Sequence, residues 1–361
     1  MIQLPQELVD ETLDRLKGES SSLKSCSLVC RSWVLRSRRH LFEHIRLDSR
    51  NILVLRDLLR RPNCTLSPHV CSIEAIRCIG SLDDHSFDES AADLRHLINV
   101  RTLELALASH PNRADPSFCK REFFTAFPSV TRLVLSCGFD SLGFNLLVDM
   151  ICLFPALQEL HTREVSSAFA YSPTSAVPPR ELCYLAFCNN SVGPILGWLH
   201  AAGHLPNVRS LTLPPVRVPH LSVVRAALQH LGGALQYFDI DVTQFLRLST
   251  DLFDMSLHHN LKQLVIHDHA KWKIDTDTNL IILLISKLVT PALEYIALDV
   301  NFMAYRHLNW AALDEILCPT RLPRLQSVVF KCAWNHNHDL HDAWRGALPS
   351  LIASGVLRTE W

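Results

Sequence analysis

The chain has 361 residues, 48% hydrophobic and 20% charged, which is enough apolar side chain for a large core and excludes wholesale disorder. Thirty-five basic residues against thirty-six acidic ones leave a formal charge of -1, so no general electrostatic pull toward nucleic acid or anionic lipid is expected. No basic, apolar, small-residue leader precedes Leu4, and the longest apolar run, residues 280–285 continuing to 289 past Ser286 and Lys287, is too short to cross a bilayer; neither secretion nor a membrane span is expected.

Three short amphipathic elements open the chain. In the first, Leu8, Val9, Thr12, Leu13 and Leu16 fall at the three-and-four spacing of one helical face, with Pro5 at the entry and Gly18 as a stop. Gln6, Glu7, Asp10, Glu11, Asp14 and Arg15 form the opposite, polar face. Ser20, Ser21 and Ser22 offer hydroxyls to cap a second helix, after which Cys26, Val29, Cys30 and Trp33 repeat the helical spacing. The series closes on Leu41-Phe42-Glu43-His44-Ile45.

Taken together, Leu4-Pro5, Leu28-Val29-Cys30-Arg31-Ser32-Trp33 and Leu41-Phe42 resemble the F-box, a three-helix module, over residues 4–47. The resemblance implies a partner, the small Skp-family adaptor of cullin-based ubiquitin ligases, which buries apolar side chains of such modules. Carried over by position, Leu4, Pro5, Leu8, Leu28, Val29 and Trp33 would bind the adaptor. The plainer alternative is that these side chains are the core of a small helical cap.

Past residue 48 a six-residue pattern recurs, apolar-x-x-apolar-x-apolar, at 100–105, 130–135, 157–162, 182–187, 208–213, 235–240, 261–266, 293–298 and 325–330. Successive copies start 25 to 32 residues apart, and looser versions at 42–47 and around 70–73 extend the series backward. Among the fourth and sixth positions only Thr162 is not apolar. Prolines 128, 155, 206 and 323 punctuate the entries, and the stretches 140–154, 219–231 and 278–288 read as helices, the second stopped by Gly232-Gly233.

This alternation resembles the longer class of leucine-rich repeat, in which a short parallel strand and a helix make one turn of a solenoid. The expected class is therefore α/β, with an N-terminal three-helix F-box over residues 1–48 and an irregular leucine-rich-repeat solenoid over 49–361, parallel strands inside and helices outside. The repeats depart from the family pattern: the ninth-position asparagine is present only as Asn190 and Asn301. An ordinary doubly wound α/β domain is the competing architecture.

If the repeats stack, the third and fifth strand positions share the concave face. The fifth positions would form a surface ladder of Glu104, Val134, His161, Ala186, Thr212, Asp239, Val265, Ala297 and Val329, beside a third-position row that includes Tyr184, Tyr237 and Tyr295. Aromatic rings among polar groups suit protein recognition, and Tyr237, Asp239, Gln263, His267, Tyr295 and Asp299 are the candidate target-binding patch, against the plain reading of solvated strand residues.

Catalytic signatures are missing from the sequence: no nucleophile elbow, phosphate loop, dinucleotide fingerprint or zinc helix occurs. No catalytic residue, metal or cofactor is expected. The polar run 334–342 carries His336, His338 and His341 at spacing too irregular for a convincing metal site, and a loop explains it equally. Twelve cysteines without a CxxC pair read as reduced thiols of a cytoplasmic or nuclear protein, and the stretch 163–180, with three prolines, reads as a long irregular connection. The basic run Arg31, Arg36, Arg38, Arg39 and His40 lacks interleaved aromatics, so a solvated helix face or a complement to an acidic adaptor is expected instead of a nucleic-acid groove.

The functional expectation is a non-catalytic substrate receptor of an SCF-type ubiquitin ligase, holding the adaptor, and through it cullin, at one end and an unknown target on the repeats. A non-degradative scaffold with the same adaptor contact is the runner-up. A metal-dependent enzyme centred on the carboxy-terminal histidines is the third.

Overall fold

A computed structural model describes residues 5–79, 85–109, 121–138, 144–163, 175–188, 190–243, 253–268, 279–300, 305, 308–331 and 346–360. The chain divides into two compact units, Met1–Ser167 with Pro179–Glu181, and Ala168–Pro178 with Leu182–Trp361. In the first, helices α1 (Gln6–Arg15), α2 (Ser20–Cys26) and α3 (Arg31–Phe42) run directly into strand β1 (His44–Leu47), followed by β2 (Ser72–Ile79), β3 (Thr102–Ser109), β4 (Arg132–Gly138) and β5 (Glu159–Arg163). The second unit holds β6 (Tyr184–Ala186), β7 (Ser210–Leu213), β8 (Tyr237–Asp241), β9 (Gln263–Asp268), β10 (Tyr295–Val300), β11 (Ser327–Lys331) and β12 (Leu357–Glu360). Within each unit the strands pair in chain order and all described pairs are parallel.

Strand register follows the six-residue pattern without a slip. Each of the nine clear copies begins its strand at its third position, and partners occupy equal positions, as in Leu103 opposite Leu133 and Leu264 opposite Ile296. One backbone device fixes this alignment. In the first unit the amides of Arg101 and Thr102 both donate to the carbonyl of Cys71, and those of Thr131 and Arg132 to that of Arg101. In the second unit the carbonyls of Arg209, Gln236 and Lys262 each take the same two amides from the next copy. A one-residue slip would turn each fourth and sixth side chain out of the core, so burial and hydrogen bonding enforce one register.

First, fourth and sixth positions are buried in all nine copies, including Thr162, the single polar exception in the pattern. The intervening helices bury a matching stripe, as with Val224, Ala227, Leu228 and Leu231 of the helix Leu221–Leu231. Gly232, at φ +46°, takes the left-handed turn that ends this helix where the sequence placed its stop. The other two predicted helices end two residues earlier than expected, at Cys152 and Ser286, and their expected starts, 140–143 and 278, lie outside the described residues. In the first unit Phe87, Phe123, Phe124 and Phe127 pack edge-on around Phe123, and the buried guanidinium of Arg77 lies 5.1 to 5.6 Å from the centroids of Phe87, Phe123 and Phe124.

Adjacent repeats of the second unit are stitched on the strand-entry side by His and Thr side chains. His204 Nε2 lies 2.8 Å from the Leu182 carbonyl, His258 Nδ1 lies 2.8 Å from that of Gly232, and the Thr290 hydroxyl reaches the carbonyls of His259 and Leu261 at 2.9 and 3.0 Å. Burial lowers the pKa of His258, favouring the neutral ring. Among the described residues no helix is long and apolar enough to cross a membrane.

Two candidate binding surfaces

The three N-terminal helices close a small core of Val9, Leu13 and Leu23, against which Leu16, Cys26, Trp33 and Leu41 pack. Charges tie the outer helices together: Asp14 on α1 accepts from Nε and Nη2 of Arg36 and from His40 Nε2 on α3. The Arg36 guanidinium, then His40, holds the Asp14 carboxyl well below the usual carboxylate range. Lys17 Nζ donates to Glu43 at 2.9 Å, and that contact lowers the Glu43 pKa. Two members of the basic run, Arg36 and His40, are thus committed within the module.

The six adaptor-binding candidates part company here. Leu28, Val29 and Leu8 remain 86%, 62% and 51% exposed, and Pro5 is exposed at the mouth of α1, where its carbonyl accepts from the amides of Leu8 and Val9. Trp33 is half-buried and packs against the internal cluster with part of its surface still open. Leu4 lies outside the described residues. The serines of α2 lie in its first turn, Glu19 precedes them, and no side chain caps the helix, in place of the serine cap expected. Sequence reasoning missed Leu35, also exposed; two residues beyond Trp33, it is turned about 200° away on a helix of 3.6 residues per turn.

In the second unit the structure brings all six target-binding candidates to one sheet face. Tyr237, Gln263 and Tyr295 are consecutive partners across β8, β9 and β10, as are Asp241, His267 and Asp299. His267 sits between two carboxylates, with Nε2 3.0 Å from Asp239 Oδ1 and Nδ1 3.0 Å from Asp299 Oδ2. The Tyr237 hydroxyl donates to Asp239 Oδ2 at 3.2 Å, completing a hydrogen-bonded chain across three strands. Bonding to Asp239 is the largest influence raising the His267 pKa, and its double clamp stabilises the imidazolium. With both ring nitrogens bonded to carboxylates, His267 bridges the two neighbouring strands and is poorly placed to act as a metal ligand or general base.

The fifth-position ladder is less open than the repeat pattern implies. Val134, Val265, Ala297 and Val329 are buried, the last three as a separate apolar cluster against which Tyr237 and Tyr295 pack. Small side chains on a parallel sheet leave space that the flanking rings fill. Glu104, His161, Ala186, Thr212 and Asp239 are half-buried.

No cluster of three or more His, Cys, Asp or Glu side chains arranged to hold a metal ion occurs among the described residues, and His336, His338 and His341 lie outside them. So does most of the connection 163–180; at its end Pro178 and Pro179 are buried, and the Ala176 carbonyl accepts from Trp198 Nε1 at 2.9 Å. A cavity of about 600 Å³ beside the end of α3, lined by Arg38, Phe42, Leu58 and Arg61 among others, had no signal in the sequence, because its walls come from separate segments.

No protein-family model matches the chain, and no curated protein matches it by sequence. The solved structures it matches include the crystal structure of a Bacteroides fragilis protein from a structural genomics consortium, 10% identical, with a TM-score of 0.30 over 88% of this chain and 73% of that one.

Proposed function

We propose that this chain is a non-catalytic substrate receptor of an SCF-type ubiquitin ligase, docking a Skp-family adaptor with its N-terminal helices and a target protein with its repeats. The observation that carries this reading is the exposure of Leu8, Leu28 and Val29 on a module whose own core is already closed by Val9, Leu13, Leu23 and Trp33. Large apolar side chains left outside a completed core are what a partner's groove can bury. The F-box resemblance gives that partner a class.

In this role the chain contributes proximity. Holding a target lysine near a charged conjugating enzyme turns a bimolecular encounter into a nearly intramolecular one, with no reacting group supplied by the receptor. The direct passage from α3 into β1, with one residue between them, suits the task, because a floppy joint would dilute the effective concentration.

The test is capture of a purified Skp-family adaptor and cullin by the full chain, followed by reconstituted transfer of ubiquitin to co-captured proteins. Capture that is lost in Leu28→Asp, with transfer to a bound protein, supports the receptor. Capture without transfer favours a scaffold. Failure to capture the adaptor overturns both.

A further inference from the structure

The cavity beside the end of α3 has a volume of about 600 Å³, within the range of roughly 300 to 1,000 Å³ common to small-ligand sites. One wall comes from α3, where Arg38 and Phe42 stand one helical turn apart and share a side. The other comes from the helix Ile52–Leu59 and the turn after it, which contribute Leu58, Arg61, Pro62 and Leu66. The Arg61 amide donates to the Leu58 carbonyl at 3.2 Å and the Cys64 amide to the Arg61 carbonyl at 3.0 Å, so this wall is held by its own backbone. Phe42 and Leu58 remain 36% and 39% exposed, leaving apolar surface for a ligand to cover.

The charge here is one-sided. Residues 31–42 and 58–71, which build both walls, contain no Asp or Glu. The neighbouring acids are engaged: Asp57 with Arg56 at 3.2 Å, Glu43 with Lys17 at 2.9 Å, and Asp93 with both nitrogens offered by Arg60 at 2.9 Å. Arg61 makes no side-chain hydrogen bond or ion pair among the described residues, and Arg38 commits a single N–H, donated from Nη1 to the Thr65 hydroxyl at 3.1 Å. A guanidinium carries five N–H donors, so both heads retain capacity for an oxyanion, and both arginines are exposed, within reach of an entering ligand. The field registers on His69, whose pKa is lowered by burial and then by the charges of Arg38 and Arg39.

We infer that this cavity binds a small phosphate monoester with a flat apolar body, its head on Arg38 and Arg61 and its body against Phe42 and Leu58. A phosphate monoester carries about 1.5 to 2 negative charges at pH 7, which matches two guanidiniums, whereas a carboxylate supplies one. An aromatic body offers a large area to Phe42 in a defined geometry. A space of this size between two packed elements favours a small molecule over a protein surface. The inference stands apart from the receptor reading, because it uses no residue assigned to the adaptor or the target.

The experiment titrates the full chain, in phosphate-free buffer at neutral pH, with naphthyl phosphate, naphthoate, naphthol and inorganic phosphate by calorimetry. Naphthyl phosphate is expected to bind at least tenfold tighter than naphthol or inorganic phosphate, with naphthoate in between. Arg61→Gln is expected to weaken naphthyl phosphate at least tenfold, and Arg61→Lys, which keeps the charge, to weaken it less. Equal affinity for naphthyl phosphate and naphthol, naphthoate binding as tightly as the phosphate, or no naphthyl phosphate binding up to millimolar concentration overturns the inference in the unmodified chain, whatever the variants do. Unchanged affinity in a folded Arg61→Gln chain overturns it as well, by placing the ligand elsewhere. A phosphotyrosine hexapeptide that binds tenfold tighter than naphthyl phosphate overturns the assignment to a small molecule.

Discussion

Truncating Leu28 is the sharpest test of the docking reading, because the side chain is 86% exposed and makes almost no packing contribution to the isolated chain. Fully burying a leucine contributes about 1.5 to 3 kcal/mol, so covering the exposed part against a partner contributes on the order of 1 to 2.5 kcal/mol. Leu28→Ala is therefore expected to weaken adaptor binding roughly 5- to 70-fold while moving the unfolding free energy by less than about 0.5 kcal/mol. Leu13→Ala is the contrasting variant. Leu13 is fully enclosed in the module core, and its truncation should cost about 2 to 5 kcal/mol of stability. Titration calorimetry with the purified adaptor gives the first quantity and urea unfolding the second. The reasoning fails if Leu28→Ala binds the adaptor within twofold of the unmodified chain, or if it loses as much stability as Leu13→Ala.

Gly193 lies in the helix Val192–Ala201, and a Cβ there would come within 2.2 Å of His220 Nδ1 and 2.7 Å of its Cγ. Because the clash reaches the root of the ring, Gly193→Ala should destabilise the chain by about 1 to 3 kcal/mol in urea unfolding. Replacing Thr290 by Val removes the hydroxyl that joins two repeats at the carbonyls of His259 and Leu261, and a loss of about 1 to 2 kcal/mol is expected in the same assay. The His267 bridge has a signed pH dependence. Since its folded pKa is raised above the ordinary 6.5, the stability it contributes is fully present below pH 6.5 and is lost as pH rises through the folded value. Unfolding midpoints of the unmodified chain and of His267→Gln should converge as pH rises from 6 to 9; a constant gap would contradict the assignment.

Much of this architecture is legible in the sequence because it repeats. All nine clear copies coincide with a strand that starts two residues into the pattern, since the fourth and sixth positions must both be apolar and strand alternation leaves no other phase, whereas β12 carries no copy. His267 and Asp299 were readable as neighbours because each stands two residues past the fifth position of its copy. The His267 link to Asp239 was not, because it runs diagonally between positions that the register does not pair. Trp33 shows the limit from the other side: helical spacing puts it on the apolar stripe with Val29 and Cys26, but not on one side or the other of a closed core. His204, His258 and Thr290 were invisible as stitching residues, because their partners are backbone carbonyls and leave no trace in residue type.

The pair of amides that converge on one carbonyl from copy to copy has a further consequence for how this chain can change. Alignment is decided within a few residues at each strand entrance, so the length of chain between one entrance and the next is free to drift, and the spacings of 25 to 32 residues record that tolerance. New segments inserted after a strand lengthen a connection without disturbing either neighbour. Sequence change can accumulate there while the framework stays the same.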